Sequence, residues 1–118
     1  MNKKEVYILR YDDDSSNEQI GIFETKALMF KTLYENMRDD LDIDIEDPIA
    51  VLDTLDYYTY ETTQVDTSQN KVYTLYEYSC NGFNYISTVD ANTKNRELGY
   101  LAVVESAINQ KDLQGIYL

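Results

Sequence analysis

The chain has 118 residues, 43% of them apolar, with 22 acidic against 10 basic side chains and a net charge of −12. That length and apolar content suit one compact acidic domain over residues 1–118 rather than a disordered acidic tail. The charge disfavours direct binding to DNA, RNA or an anionic membrane, because a polyanion is held by Lys and Arg placed against its phosphates; a basic protein partner is favoured instead.

At the N-terminus, Lys3 and Lys4 precede the apolar run Val6-Tyr7-Ile8-Leu9, which Arg10 ends long before the length of a signal-peptide core. No stretch approaches the roughly 18 apolar residues of a membrane span. Residues Glu5–Tyr11 read as a strand with apolar side chains on both faces, which predicts an interior place in a sheet. After the polar turn at Asp12–Asn17, Gln19–Glu24 reads as a second strand, so the two are expected to pair as a hairpin. Thr25 fits the N-cap of a helix over about Lys26–Asp40, whose stripe is Met29, Phe30, Leu33 and Met37, widened by Ala27, Leu28 and Tyr34.

The next segment is the most unusual. Between Arg38 and Lys71 lie ten acidic residues and no Lys or Arg. In Asp39–Asp47 acids alternate with Leu41, Ile43 and Ile45, so an extended chain would place Asp40, Asp42, Asp44 and Glu46 in a row on one side. Asp47-Pro48 suits a helix start, predicting a short helix over Pro48–Asp56 that turns Asp53 and Asp56 outward.

From Tyr57 onward the residues favour strands. Tyr57–Val65 and Lys71–Cys80 are rich in Tyr, Thr and Val, and the polar link between them predicts a second hairpin. Asn81-Gly82 signals a third turn, leading into a strand over Phe83–Val89. Over Arg96–Leu113 the spacing of Tyr100, Leu101, Val104, Ala107 and Ile108 predicts a helix, with a strand over Leu101–Val104 as the alternative. The expected fold is therefore α+β, a mostly antiparallel sheet of about five strands packed against two main helices.

Motifs that carry catalysis are scarce. The chain has no histidine, which removes His-based triads, His acid–base chemistry and His metal ligands. Cys80, the single cysteine, has no internal disulfide partner and no His to activate it; it suits a reducing compartment, and a cytoplasmic protein is expected. The four glycines are isolated, so no phosphate loop is present. Paired carboxylates remain as a route to glycosidase or Mg²⁺-dependent chemistry, but little basic charge is placed to receive an anionic substrate. Asp40, Asp42 and Asp44 resemble the start of an EF-hand loop, yet Ile45 and Val51 stand where that loop needs its glycine and its bidentate glutamate. No enzyme, cofactor or metal is expected.

Twelve tyrosines are the second anomaly, seven of them within Tyr57–Tyr85. Tyr58, Tyr60, Tyr76 and Tyr78 are candidate anchors for a partner, because Tyr offers large contact area at low entropic cost. The plainer alternative is cross-strand aromatic pairing. A stacking platform for single-stranded nucleic acid would need basic neighbours, and Glu61, Asp66 and Glu77 stand there instead.

Alternate residues on a strand are roughly 6.6–6.8 Å apart, comparable to the step between phosphates of a winding nucleic-acid strand, which advances about 3.4 Å axially. A row of Asp40, Asp42, Asp44 and Glu46 could thus occupy Arg and Lys sites built for a phosphate backbone. The simpler alternative is an edge strand kept from aggregating by charge. In size, acidity, Tyr content and the Lys/Asn/Ile/Tyr usage of an AT-rich genome, the chain resembles small phage or mobile-element proteins that block host nucleases and other defence enzymes. The expected function is a non-catalytic protein-binding inhibitor that blocks a basic nucleic-acid-binding partner through an acidic nucleic-acid-mimicking surface. Asp40, Asp42, Asp44, Glu46, Asp53, Asp56, Tyr58, Tyr60, Tyr76 and Tyr78 are its expected contacts. A domain that self-associates through a Tyr-rich sheet surface is the alternative.

Overall fold

A computed structural model of the chain describes residues 3–13, 17–37, 51–68, 70–79, 82–90 and 101–113. In chain order the elements are strands β1 (Lys3–Asp12) and β2 (Asn17–Phe23), helices α1 (Lys26–Met37) and α2 (Val51–Thr54), then strands β3 (Tyr58–Asp66), β4 (Lys71–Ser79), β5 (Gly82–Asp90) and β6 (Leu101–Ala107). They form one six-stranded mixed sheet in the order β3-β1-β2-β5-β4-β6. The expected five strands under two main helices are therefore corrected, among the described residues, to six strands with one helix of twelve residues and a four-residue helical turn.

The sheet is built as two antiparallel blocks. In the first, β1 lies between β2 and β3; in the second, β4 lies between β5 and β6. A single parallel pairing, Asn17 with Asn84, joins them. Side chains do most of the joining. Val6, Ile8, Ile22 and Val65 of the first block share one core with Val72, Tyr76, Tyr85 and Ile108 of the second block and its C-terminal continuation. The opposite face of the first block, with Leu9, Ile20 and Phe23, is covered by Met29, Phe30, Leu33 and Met37 of α1 and by Val51. Two covered faces explain why β1 is apolar on both sides, and its interior position is as its sequence predicts. Each fully buried Leu, Ile or Val in these layers contributes about 1.5–3 kcal/mol.

The hairpin of β1 and β2 forms as expected, with Ile20 an extra residue between the Leu9–Gly21 and Arg10–Gln19 pairs. The bulge lets Ile20 join the helix-side core while Gln19 turns to the other block. The α1 cap also forms: the Leu28 amide donates to Thr25 Oγ1 at 3.1 Å. The described helix ends at Met37, and residues 38–40 of the expected span lie outside the described residues. Of the expected Pro48–Asp56 helix, residues 51–56 are described, and α2 covers only Val51–Thr54, with Leu55 and Asp56 beyond it.

Two expectations about β structure are overturned. The strands β3 and β4 do not form a hairpin; β3 pairs with β1 from Lys3–Asp66 to Tyr11–Tyr58, and β4 belongs to the second block. The link between them is a corner. Asp66 Oδ1 accepts from the Ser68 amide at 3.0 Å, the Asn70 amide donates to the Thr67 carbonyl at 3.0 Å, and Asn70 has a φ of 55°. Leu101–Ala107 is strand, not helix, and pairs with β4 from Lys71–Ala107 to Glu77–Leu101. The adjacent β-branched Val103 and Val104 fit that pleated setting. Helical spacing over so short a run is also the spacing of a strand apolar on both sides. The β4–β5 hairpin holds, although Gly82 is already in the ladder, opposite Ser79.

Candidate protein-binding surface

The whole of the expected acidic row, Asp40, Asp42, Asp44 and Glu46, lies outside the described residues. Asp53 is on α2 and Tyr78 on β4, opposite Phe83. The remaining expected contacts divide sharply. Tyr76 is buried between the two blocks, where its hydroxyl accepts a hydrogen bond from the Gln19 amide at 3.0 Å and its ring meets Tyr85 edge-on at 6.3 Å. Burial pushes the Tyr76 phenol pKa up. Around it Gln19 Oε1 accepts from Thr74 Oγ1 at 3.1 Å and from Ser106 Oγ at 3.0 Å, a buried polar network tying β2 to β4 and β6. Tyr76 is thus an interior residue of this structure, not a surface anchor.

Tyr58 and Tyr60 are half-buried on the helix-side face of β3. Tyr60 stands 6.1 Å edge-on from Phe30 and 6.2 Å from Tyr7, with the Lys26 ammonium 5.5 Å from its ring centroid. Lys26 has a raised pKa, chiefly through its hydrogen bond with Tyr60. Tyr58 meets Tyr11 edge-on at 5.2 Å, and desolvation raises its pKa. The plainer expectation of aromatic pairing describes these residues well, but the face they share is packed under α1 rather than solvated.

What sequence reasoning passed over is Tyr57. Among the tyrosines whose side chains are described, it alone is exposed, at 57%. It sits in the turn between α2 and β3 with a φ of 71°. A left-handed conformation costs a residue with a side chain about 1–2 kcal/mol, offset in part here by the Asp12 amide, which donates to the Tyr57 carbonyl at 2.7 Å. The twist separates Tyr57 from the inward Tyr58 and Tyr60 and sets its ring 6.2 Å from that of Tyr11. The Tyr11 hydroxyl donates to the Asp13 carboxylate, and this bond, with burial, raises the Tyr11 pKa to about 12. Asp56, next to Tyr57, is exposed, and the Asp12 side chain is 49% exposed.

The result is an acidic and aromatic corner made by the end of β1 and the start of β3. The available signal was the position of Asp56-Tyr57 between a helical run and a strand, but no propensity announces a left-handed tyrosine.

Other chemistry is sparse. Among the described residues, no group of three or more His, Cys, Asp or Glu side chains is gathered where it could hold a metal ion, and no helix is long and apolar enough to cross a membrane. Comparisons with protein-family models, curated proteins and solved structures found no match.

Proposed function

We propose that this protein is a non-catalytic binding domain that docks on the basic, nucleic-acid-binding surface of another protein and blocks it, in the manner of a phage or mobile-element anti-defence inhibitor. The observation that carries the reading is the run of ten acids without a base between Arg38 and Lys71. Its described portion leads into a surface corner where Asp56 and Tyr57 are exposed. Like charges crowded in one segment repel, and a cationic partner relieves that repulsion. Polar contact to the partner would come from the carboxylates, and apolar contact from Tyr57.

The test is displacement. A partner captured from bacterial lysate at low salt is purified, loaded with fluorescent duplex DNA and titrated with the protein at low and at moderate salt. The expected result is release of the DNA, weakening steeply as salt rises. Asp42→Lys with Asp44→Lys should abolish release while the melting temperature changes little. Unchanged, salt-insensitive release by that double variant would refute nucleic-acid mimicry. Self-association through a tyrosine-rich sheet is less well supported, because Tyr73, Tyr76 and Tyr85 are buried and Tyr58 and Tyr60 lie against the helix-side core.

A further inference from the structure

We propose that Tyr57, with Tyr11 beside it and the carboxylates of Asp56 and Asp13 near it in the chain fold, is a receptor for an arginine side chain of the protein's partner. The proposal rests on the reading of a basic partner and names the contact it would make.

The molecule carries two internal examples of the same chemistry. The Arg10 guanidinium lies over the Tyr85 ring, 4.7 Å from its centroid, and the Lys26 ammonium lies 5.5 Å from that of Tyr60. Both rings are at least partly withdrawn from solvent and are served by cations of the chain itself. Tyr57 is the opposite case. Its ring is the most exposed large apolar group described, its ring neighbour is Tyr11 at 6.2 Å, and no cation of the described residues stands over it. The charges of its chain neighbourhood are carboxylates, of which that of Asp12 is shared with Arg10 at 3.7 Å. Asp56 adjoins it in sequence, Asp12 binds its carbonyl through the backbone, and Asp13 accepts the Tyr11 hydroxyl.

Exposed aromatic faces attract cations through the ring quadrupole, and flanking carboxylates strengthen the attraction. Arginine fits better than lysine. Its planar, weakly hydrated guanidinium stacks on a ring while its N–H fork still reaches a carboxylate, whereas an ammonium must shed more water to do either. The Tyr57 ring touches Tyr11 and is otherwise largely open to solvent, so little rearrangement is needed to receive the guest.

The test is isothermal titration of the full chain with oligoarginine, and with oligolysine and oligocitrulline of equal length. The wild type should bind oligoarginine most tightly and oligocitrulline not at all. Tyr57→Asn, which tolerates the left-handed backbone, should weaken oligoarginine about fivefold, bring it close to oligolysine and leave the fold intact by circular dichroism. Tyr57→Gly should do the same without backbone strain, and Tyr57→Phe should retain the preference. Oligoarginine binding unchanged in both Tyr57→Asn and Tyr57→Gly, but lost in the Asp42→Lys, Asp44→Lys double variant, overturns the arginine receptor and leaves the basic-partner reading standing. A wild type that binds neither cationic peptide overturns both.

Discussion

Arg10 and Tyr85 join the two halves of the sheet: the guanidinium carbon lies 4.7 Å from the ring centroid, so a β1 side chain is stacked on a β5 side chain. The same guanidinium donates to Asn17 Oδ1 at 2.7 and 3.2 Å and faces Glu61 at 3.5 Å and Asp12 at 3.7 Å. Asn17 is also the β2 residue of the single parallel pairing between the blocks. One partly buried cation therefore holds β1, β2, β3 and β5 together at the seam.

Replacing Arg10 with Ala should cost about 1–2 kcal/mol, since it removes the stacked plane, the packed stem and the fork onto Asn17 together. Arg10→Lys should recover less than half of that, because an ammonium cannot stack and fork at once. Urea denaturation of Arg10→Ala, Tyr85→Leu and the double variant should show coupling of about 1 kcal/mol; strict additivity would mean the stack adds nothing.

Gly21 is tight for a steric reason. A Cβ built there would stand 2.7 Å from Phe23 Cε2 and 2.8 Å from Leu113 Cδ2. Gly21→Ala should therefore destabilise by about 1–3 kcal/mol. Part of the loss should vanish in a Leu113→Ala background, where one of the two obstacles is gone. Thermal melts of the four proteins check this, and an equal loss in both backgrounds would show that Leu113 is no obstacle.

Alkaline pH should unfold the protein through its tyrosines. The hydrogen bond to Asp13, with burial, raises the pKa of Tyr11 to about 12, and burial raises those of Tyr58, Tyr76 and Tyr85, against hydrogen bonds to Tyr76 and Tyr85 that lower them. A raised folded-state pKa favours the neutral phenol, so its contribution is fully present below the unfolded value of 10.0 and is lost as pH rises through the folded value. The melting temperature should hold steady up to about pH 10 and then fall. Asp13→Asn, which takes the charge from the Tyr11 hydrogen bond, should move Tyr11 ionisation to lower pH in ultraviolet difference spectra; no movement would exclude that carboxylate as the cause.

Local chemistry was legible in the sequence, and long-range pairing was not. The Thr25 cap, the Met29–Phe30–Leu33–Met37 stripe and the two-sided apolar pattern of β1 each depend on neighbours in the chain, and each was read correctly. The choice of β1 over β4 as the partner of β3 depends on which edge is open once β1 and β2 have paired, and no residue in β3 encodes that. The seven residues of β6 satisfy a helical and a two-sided strand pattern equally, and the β4 edge decided between them. At the candidate site, the acidity was plain, and the exposure of Asp56 was foreseen. Tyr76 proved interior and Tyr58 and Tyr60 half-buried against the helix-side core, while the exposed ring is that of the left-handed Tyr57.

The place of β1 has a consequence for synthesis. As the strand between β2 and β3, it leaves the ribosome before either neighbour, and one of those partners emerges only after α1 and α2. Until β3 arrives, the nascent hairpin of β1 and β2 carries an open hydrogen-bonding edge and, on the side away from α1, an uncovered apolar face. The long loop that β1–β3 pairing must close makes that step slow relative to the local hairpins. Chaperone demand should therefore peak while the acidic segment is emerging, a stage at which the exposed chain is highly charged and its first block is unfinished.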